Sequence, residues 1–232
     1  MFLRLNNVSS KTLDTMAAKA LYFTSIAYEK CGQLPSLRPA VFSYHKQSSL
    51  THDPIGQATS MNIIIRSFLQ QNLYEQARSF IELTQFPEQS SNNQYARYLY
   101  YVGKIKAVQL EYTDAQASLI QSLRKGPEIG ATGFRVTVQK LLVIVELLMG
   151  EIPNRQIFSH TDYEKPLGPY FSIVSCVKSG DMERFKHLCV KYAKLFKADR
   201  NLSLIHRLQY CVLKFGLKKI NISYSRISIS DI

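Results

Sequence analysis

His52 and Asp53 stand side by side, the one imidazole–carboxylate neighbourhood in the chain that suggests acid–base chemistry. Pro54 follows them and changes the reading. An Asp before a Pro is a helix N-cap followed by a residue whose ring pre-sets the helical φ. The pair therefore reads as punctuation of a helix start. His45, His160, His187 and His206 stand at no metal-ligand spacing from one another or from an acid. Cys31, Cys176, Cys189 and Cys211 are too far apart for a metal knuckle or a redox pair. The last three sit among apolar residues, where a thiol behaves as a small hydrophobe. A disulfide scaffold is not supported, which fits a reducing compartment. Gly-rich phosphate loops, serine elbows and spaced carboxylate pairs are absent from the sequence. These residues predict no enzyme, no cofactor, no metal and no small-molecule substrate.

Charge is the remaining chemistry. The chain carries 29 Lys and Arg against 17 Asp and Glu, a formal balance of +12. From Lys178 onward the cations far outnumber the acids Asp181, Glu183, Asp199 and Asp231. Lys186, Lys191, Lys194 and Lys197 recur at helical spacing, and the pattern predicts an exposed basic stripe. Such a field attracts an acidic protein surface, with nucleic acid as the alternative. Tyr192 and Phe196 lie between these lysines. A base-stacking platform and ordinary core packing both place aromatics there.

A repeat supplies the frame. Leu99, Val102, Gly103, Tyr112, Ala115, Leu119 and Pro127 fall in the register of a tetratricopeptide unit. Small residues at Gly103 and Ala115 suit two helices that cross closely, and Pro127 cannot continue the second one. Lys106 occupies a position the pattern gives to an aromatic, and Ser122 one it gives to a small apolar residue. An earlier copy places Tyr74, Ala77 and Ile81 at the positions of Tyr112, Ala115 and Leu119. Met61 and Ile65 take those of Leu99 and Gly103. Gly180 to Phe185 echo the register a third time. Stacked copies predict an all-α helical solenoid.

Periodicity and stop signals predict the helices in order. The first runs over 13–30, capped by Ser10 or Thr12, and others over 36–50, 55–71 and 73–83. The repeat helices cover 94–110 and 113–124, and a long helix covers 130–149. Three more cover 167–179, 182–197 and 201–215, and the last is expected to continue into 220–224 and then fray. Residues 154–165 show no apolar period and read as the main exposed loop. The apolar run Leu141–Met149 is too short to span a membrane and is broken by Glu146. It reads as a buried helix. The N-terminus lacks the apolar core of a secretion signal.

Several stretches carry a family likeness: Asp53–Thr59, Leu73–Ala77, Phe86–Gln89, Ala96–Tyr112, Leu141–Pro153 and Ile222–Ser228. Together they resemble the non-ATPase scaffold subunits of the proteasome regulatory lid, within the PCI group. The run Ala96–Tyr112 is specific to one such subunit. The resemblance implies a right-handed helical-repeat arm over 1–91 and the helical part of a PCI module over 92–219. A linker and the start of a winged helix would fill 220–232. It implies a non-catalytic scaffold in ubiquitin-dependent protein degradation, in cytoplasm and nucleus. Its partners would be other PCI-containing lid subunits, with no membrane. The winged helix, the C-terminal assembly helix and the family's large N-terminal extension are expected to be missing from this chain. Two alternatives remain: a basic helical-repeat nucleic-acid binder, and a truncated subunit that folds without assembling.

Overall fold

The computed structural model describes residues 11–127 and 130–223. Among them the regular elements are helical throughout. They are α1 (Lys11–Lys30), α2 (Leu34–Leu50), α3 (Pro54–Gln70), α4 (Tyr74–Leu83), α5 (Asn92–Val108) and α6 (Tyr112–Lys125). There follow α7 (Thr132–Met149), a short 3₁₀ helix (Arg155–Ser159), α8 (Thr161–Ser179), α9 (Met182–Lys191), α10 (Ala193–Ala198) and α11 (Leu202–Ser223).

One turn design recurs. Gly32, His52, Asn72, Leu110, Gly150, Gly180 and Arg200 all adopt left-handed φ, between 54° and 89°. In each case the next residue's amide reaches back five residues to a helix carbonyl. Asp53 bonds Ser48, Leu73 bonds Phe68, Glu111 bonds Lys106 and Asn201 bonds Phe196, at 2.9–3.0 Å. This is the Schellman closure of a helix C-terminus. In six of the seven turns that same residue precedes the first residue of the next helix. Gly32, Asn72, Leu110 and Gly150 recur at intervals of about 40 residues, a helix–turn–helix period.

The structure corrects three expectations. Residues 154–165 are not an open loop, because the 3₁₀ helix and the first turn of α8 occupy most of them. Pro166 and Pro169 both lie inside α8. Contacts around Tyr163 anchor that turn: Arg135 Nε donates to its hydroxyl at 3.0 Å, and its ring stacks on His160 at 4.8 Å. The helix expected over 182–197 breaks at Tyr192. Past the break Phe196 is fully buried, its ring 5.3 Å from that of Tyr170. The last helix runs on past 215 to Ser223, as expected. Thr12 is already inside α1, so it does not cap it; Ser10 lies outside the described residues.

The chain forms two compact units, Met1–Ile105 with Ser118–Pro127 and Lys106–Ala117 with Glu128–Ile232. In the first, α3 packs against α1, α2 and α4, and Ile64 and Ile65 are fully buried. Leu21, Leu34, Val41, Phe68 and Ala77 complete that core. Phe42, Phe68 and Phe80 pack edge-on or tilted at 5.7–6.5 Å. In the second unit α7 packs against α8 and α11 and buries Val136, Val138, Leu141 to Val145 and Leu147. The run Leu141–Met149 is thus interior to a unit. No helix among the described residues is long and apolar enough to cross a membrane. A Cβ on Gly180 would sit 2.5 Å from the Gly216 Cα, so α11 meets the α8 turn backbone to backbone.

Candidate interaction surfaces

The repeat residues occupy equivalent places in their helices. Tyr74 and Tyr112 are the first residues of α4 and α6. Ala77 and Ala115 are the fourth, and both are fully buried. Their amides give the first intrahelical bonds, to Leu73 and Glu111. Phe185 holds the same place in α9, bonded to Asp181, where a large ring fills the space. Leu99 and Leu119 are buried, Gly103 is buried, and Val102, Tyr112, Ile81 and Pro127 are half-buried. Pro127 lies two residues past the end of α6.

The departures from the repeat pattern have local reasons. Ser122 is fully buried, and its hydroxyl donates to the Ala96 carbonyl at 2.7 Å, so its polar atom is satisfied. Lys106 pairs with Asp114 at 3.2 Å, an ion pair where an aromatic contact is usual.

The four lysines are all exposed, but on two helices. Lys186 and Lys191 lie on α9, Lys194 and Lys197 on α10, and the break at Tyr192 separates the pairs. Phe196 between them is fully buried, so it offers no face to a nucleic-acid base. The Lys191 ammonium instead sits 5.3 Å from the Tyr192 ring centre.

Sequence reasoning missed a further face. On α11, Tyr210, Leu213 and Leu217 share one side of the helix and are 73%, 52% and 50% exposed. Lys214 and Lys218 flank them, and the sequence from Asn201 to Ser223 contains no acid. The available signal was a helix apolar on two sides at once, more than a single core contact requires.

The residues that first suggested chemistry are committed elsewhere. Asp53 Oδ1 and Oδ2 accept the amides of Ile55 and Gly56, each at 3.0 Å. His52 is the left-handed turn residue before it. His45 Nδ1 lies 2.9 Å from Ser60 Oγ, a pairing not foreseen from the sequence. Ser60 is fully buried and donates its proton to the Gln57 carbonyl, so its oxygen accepts from the imidazole and is not activated by it. Burial raises the thiol pKa of Cys176, Cys189 and Cys211 above the usual cysteine value, disfavouring the reactive thiolate. No cluster of His, Cys, Asp and Glu able to hold a metal occurs among the described residues.

Comparison with known proteins places these elements. The family described as PSMD3-like, N-terminal TPR repeats, matches residues 1–174. The chain belongs to that PSMD3-like family. An Arabidopsis thaliana relative, 26S proteasome non-ATPase regulatory subunit 3 homolog A, is 43% identical over 229 residues. That alignment covers 99% of this chain and 47% of the relative. The Dictyostelium discoideum subunit 3 is 44% identical over 221 residues, 95% of this chain and 44% of the relative. A probable subunit 3 from Drosophila melanogaster is 40% identical over 222 residues, 96% of this chain and 45% of its own length. The chain thus spans about half the length of the curated relatives it matches. Within the PSMD3-like repeats fall all the turns from Gly32 to Gly150, together with both Tyr–Ala copies.

Proposed function

We propose that this chain is a non-catalytic scaffold of the regulatory lid of the 26S proteasome, serving ubiquitin-dependent protein degradation through protein–protein contacts. The observation that carries the reading is 43% identity across 99% of the chain to a protein named as a non-ATPase regulatory subunit. Buried thiols, an N-cap in place of an acid–base pair and a hydroxyl spent on a backbone carbonyl support a role without turnover.

On this reading the chain works in cytoplasm and nucleus beside other lid subunits of the PCI group. Residues 1–91 serve as a repeat arm, 92–219 as the helical part of a PCI module, and 220–232 as the approach to a winged helix. Leu99, Val102, Gly103, Tyr112, Ala115, Leu119 and Pro127, with Tyr74, Ala77 and Ile81, hold the repeat packing. Lys186, Lys191, Lys194 and Lys197 meet an acidic partner surface, and the exposed side of α11 gives that contact an apolar centre. A few buried apolar anchors carry most binding energy at such contacts, while rim charges set approach rate and partner choice.

The test is co-purification of the tagged chain from cells of its source. Lid subunits in stoichiometric amounts support the proposal. Nuclease-sensitive RNA or DNA in their place replaces it with the nucleic-acid reading, and neither product leaves a chain that folds without assembling. Tyr210→Glu with Leu213→Glu is expected to abolish recovery of lid subunits. Reversing the four lysines to Glu is expected to slow association and reduce its salt dependence.

A further inference from the structure

In the first unit a groove of about 460 Å³ opens between α1, the start of α3 and the start of α5. Its floor and walls are mainly apolar, from Ala18, Tyr22, Ile55 and Ala58. Among the described residues two cations, Lys19 and Arg97, line it, and no acid does. Thr59 and Gln94 hold the wall between α3 and α5 in place: Gln94 Nε2 lies 3.3 Å from Thr59 Oγ1, and Asn62 Nδ2 donates to Gln94 Oε1 at 2.8 Å.

Arg97 is the informative residue. Arg97 is half-buried as a residue, and its guanidinium carbon lies 5.2 Å from the centre of the Tyr22 ring. It pairs with no carboxylate among the described residues. The neighbouring acid Glu29 is engaged by Arg66 and Gln70. Residues 1–10 of the sequence contain Arg4 and no Asp or Glu. A guanidinium placed over an aromatic ring and paired with no carboxylate keeps hydrogen-bond donors for an anion. A carboxylate there would accept charge-assisted hydrogen bonds from it.

We infer that this groove binds a peptide segment of another protein in which an apolar side chain adjoins an acidic one. The apolar side chain enters between Ala18, Ile55 and Ala58, and the carboxylate accepts from Arg97, with Lys19 at the rim. The inference is independent of lid assembly and concerns a different surface from α9–α11.

The experiment titrates the isotope-labelled chain with acetyl-Leu-Glu-Leu-amide and, separately, with acetyl-Leu-Gln-Leu-amide, following the methyl signals of Ala18 and Ala58 by NMR. Saturable shifts with the Glu peptide, and binding about tenfold weaker for the Gln peptide, are expected. Arg97→Gln brings the Glu peptide down to the level of the Gln peptide, and Lys19→Gln produces a smaller loss. Melting of both variants is measured alongside, and the two-peptide comparison on the unaltered chain stands even if Arg97→Gln destabilises it. Equal binding of the two peptides overturns the proposal. So do the absence of saturable shifts up to the peptides' solubility, shifts confined to α9–α11, and inorganic phosphate perturbing the same methyls while the Glu peptide does not.

Discussion

Two turns of this molecule share a backbone and differ in how they are held. The α2–α3 turn closes through the Asp53 amide on Ser48, and the α10–α11 turn through the Asn201 amide on Phe196. The first is then fixed by its immediate neighbours. Asp53 caps α3, and Gly56 leaves room for that carboxylate beside Tyr44 and Ser48. A Cβ at Gly56 would lie 2.1 Å from Asp53 Oδ2 and 2.7 Å from the Tyr44 hydroxyl. Burial, the leading cause, pushes the Tyr44 pKa up to about 12, so this phenol stays neutral in the cluster. The second turn is fixed from far along the chain. Lys140 Nζ reaches Asp199 at 2.8 Å, the Tyr170 hydroxyl donates to the same carboxylate at 2.8 Å, and Asn201 Nδ2 lies 3.4 Å from that hydroxyl. Identical backbone closure can thus be secured by local or by long-range chemistry.

The long-range turn is the more vulnerable to a single loss. Asp199→Ala leaves a largely buried ammonium and a phenol hydroxyl without their acceptor, and about 2–3 kcal/mol of stability is expected to go. Chemical denaturation measures it, and a loss no larger than that of Lys140→Met would show that the carboxylate does not organise the cluster. The local turn breaks by crowding instead. Gly56→Ala is expected to remove about 1–3 kcal/mol by displacing the capping carboxylate. If Asp53→Ala rescues the melting temperature of Gly56→Ala, the clash is confirmed as the cause.

Glu146 sharpens the comparison, because at the end of α7 a carboxyl is left incompletely paired. Its Oε2 is buried and has no hydrogen-bond partner among the described residues. Burial first, and the Glu151 charge second, raise its pKa above the usual Glu value. The folded state therefore keeps this proton at a pH where the unfolded chain has released it. Stability falls as pH rises from the ordinary Glu range through the raised folded value. Glu146→Gln is expected to match the parent below that window and exceed it above by on the order of 1 kcal/mol. Melting curves across acid to neutral pH decide this, and a constant difference would refute it. The smallest effect belongs to the left-handed residues themselves. Leu110, 64% exposed at φ 73°, is expected to gain about 0.5–1 kcal/mol as Gly. Gly150→Ala is expected to lose a similar amount, since its φ is 89°.

This contrast also explains what the sequence disclosed. Asp53-Pro54 and the Tyr–x–x–Ala spacing act over one helical turn, so residue type and spacing were enough to place α3, α4 and α6. Gly32, Gly150 and Gly180 marked their turns because glycine tolerates left-handed φ. His52, Leu110 and Arg200 perform the same task without that signature, held by the closure around them. The Lys140–Asp199–Tyr170 cluster joins residues 29 and 59 positions apart, and no local pattern announces it. The missing apolar period over 154–165 misled in the opposite direction, since contacts around Tyr163 hold the first turn of α8. The groove at Arg97 was invisible for the same reason as the cluster: Tyr22, Ile55 and Arg97 become neighbours only after folding.

The Schellman closures have a hereditary consequence. In each of the seven turns one backbone bond, from the residue after the left-handed one, closes the preceding helix within six residues of chain, whatever further contacts then hold the turn. A seam of that kind survives cutting and rejoining. Duplicating or deleting a helix pair between two seams would leave both flanking ends already closed. Length differences within this lineage should therefore accumulate as whole helix pairs bounded by left-handed residues, while the helices between them resist even single-residue insertions.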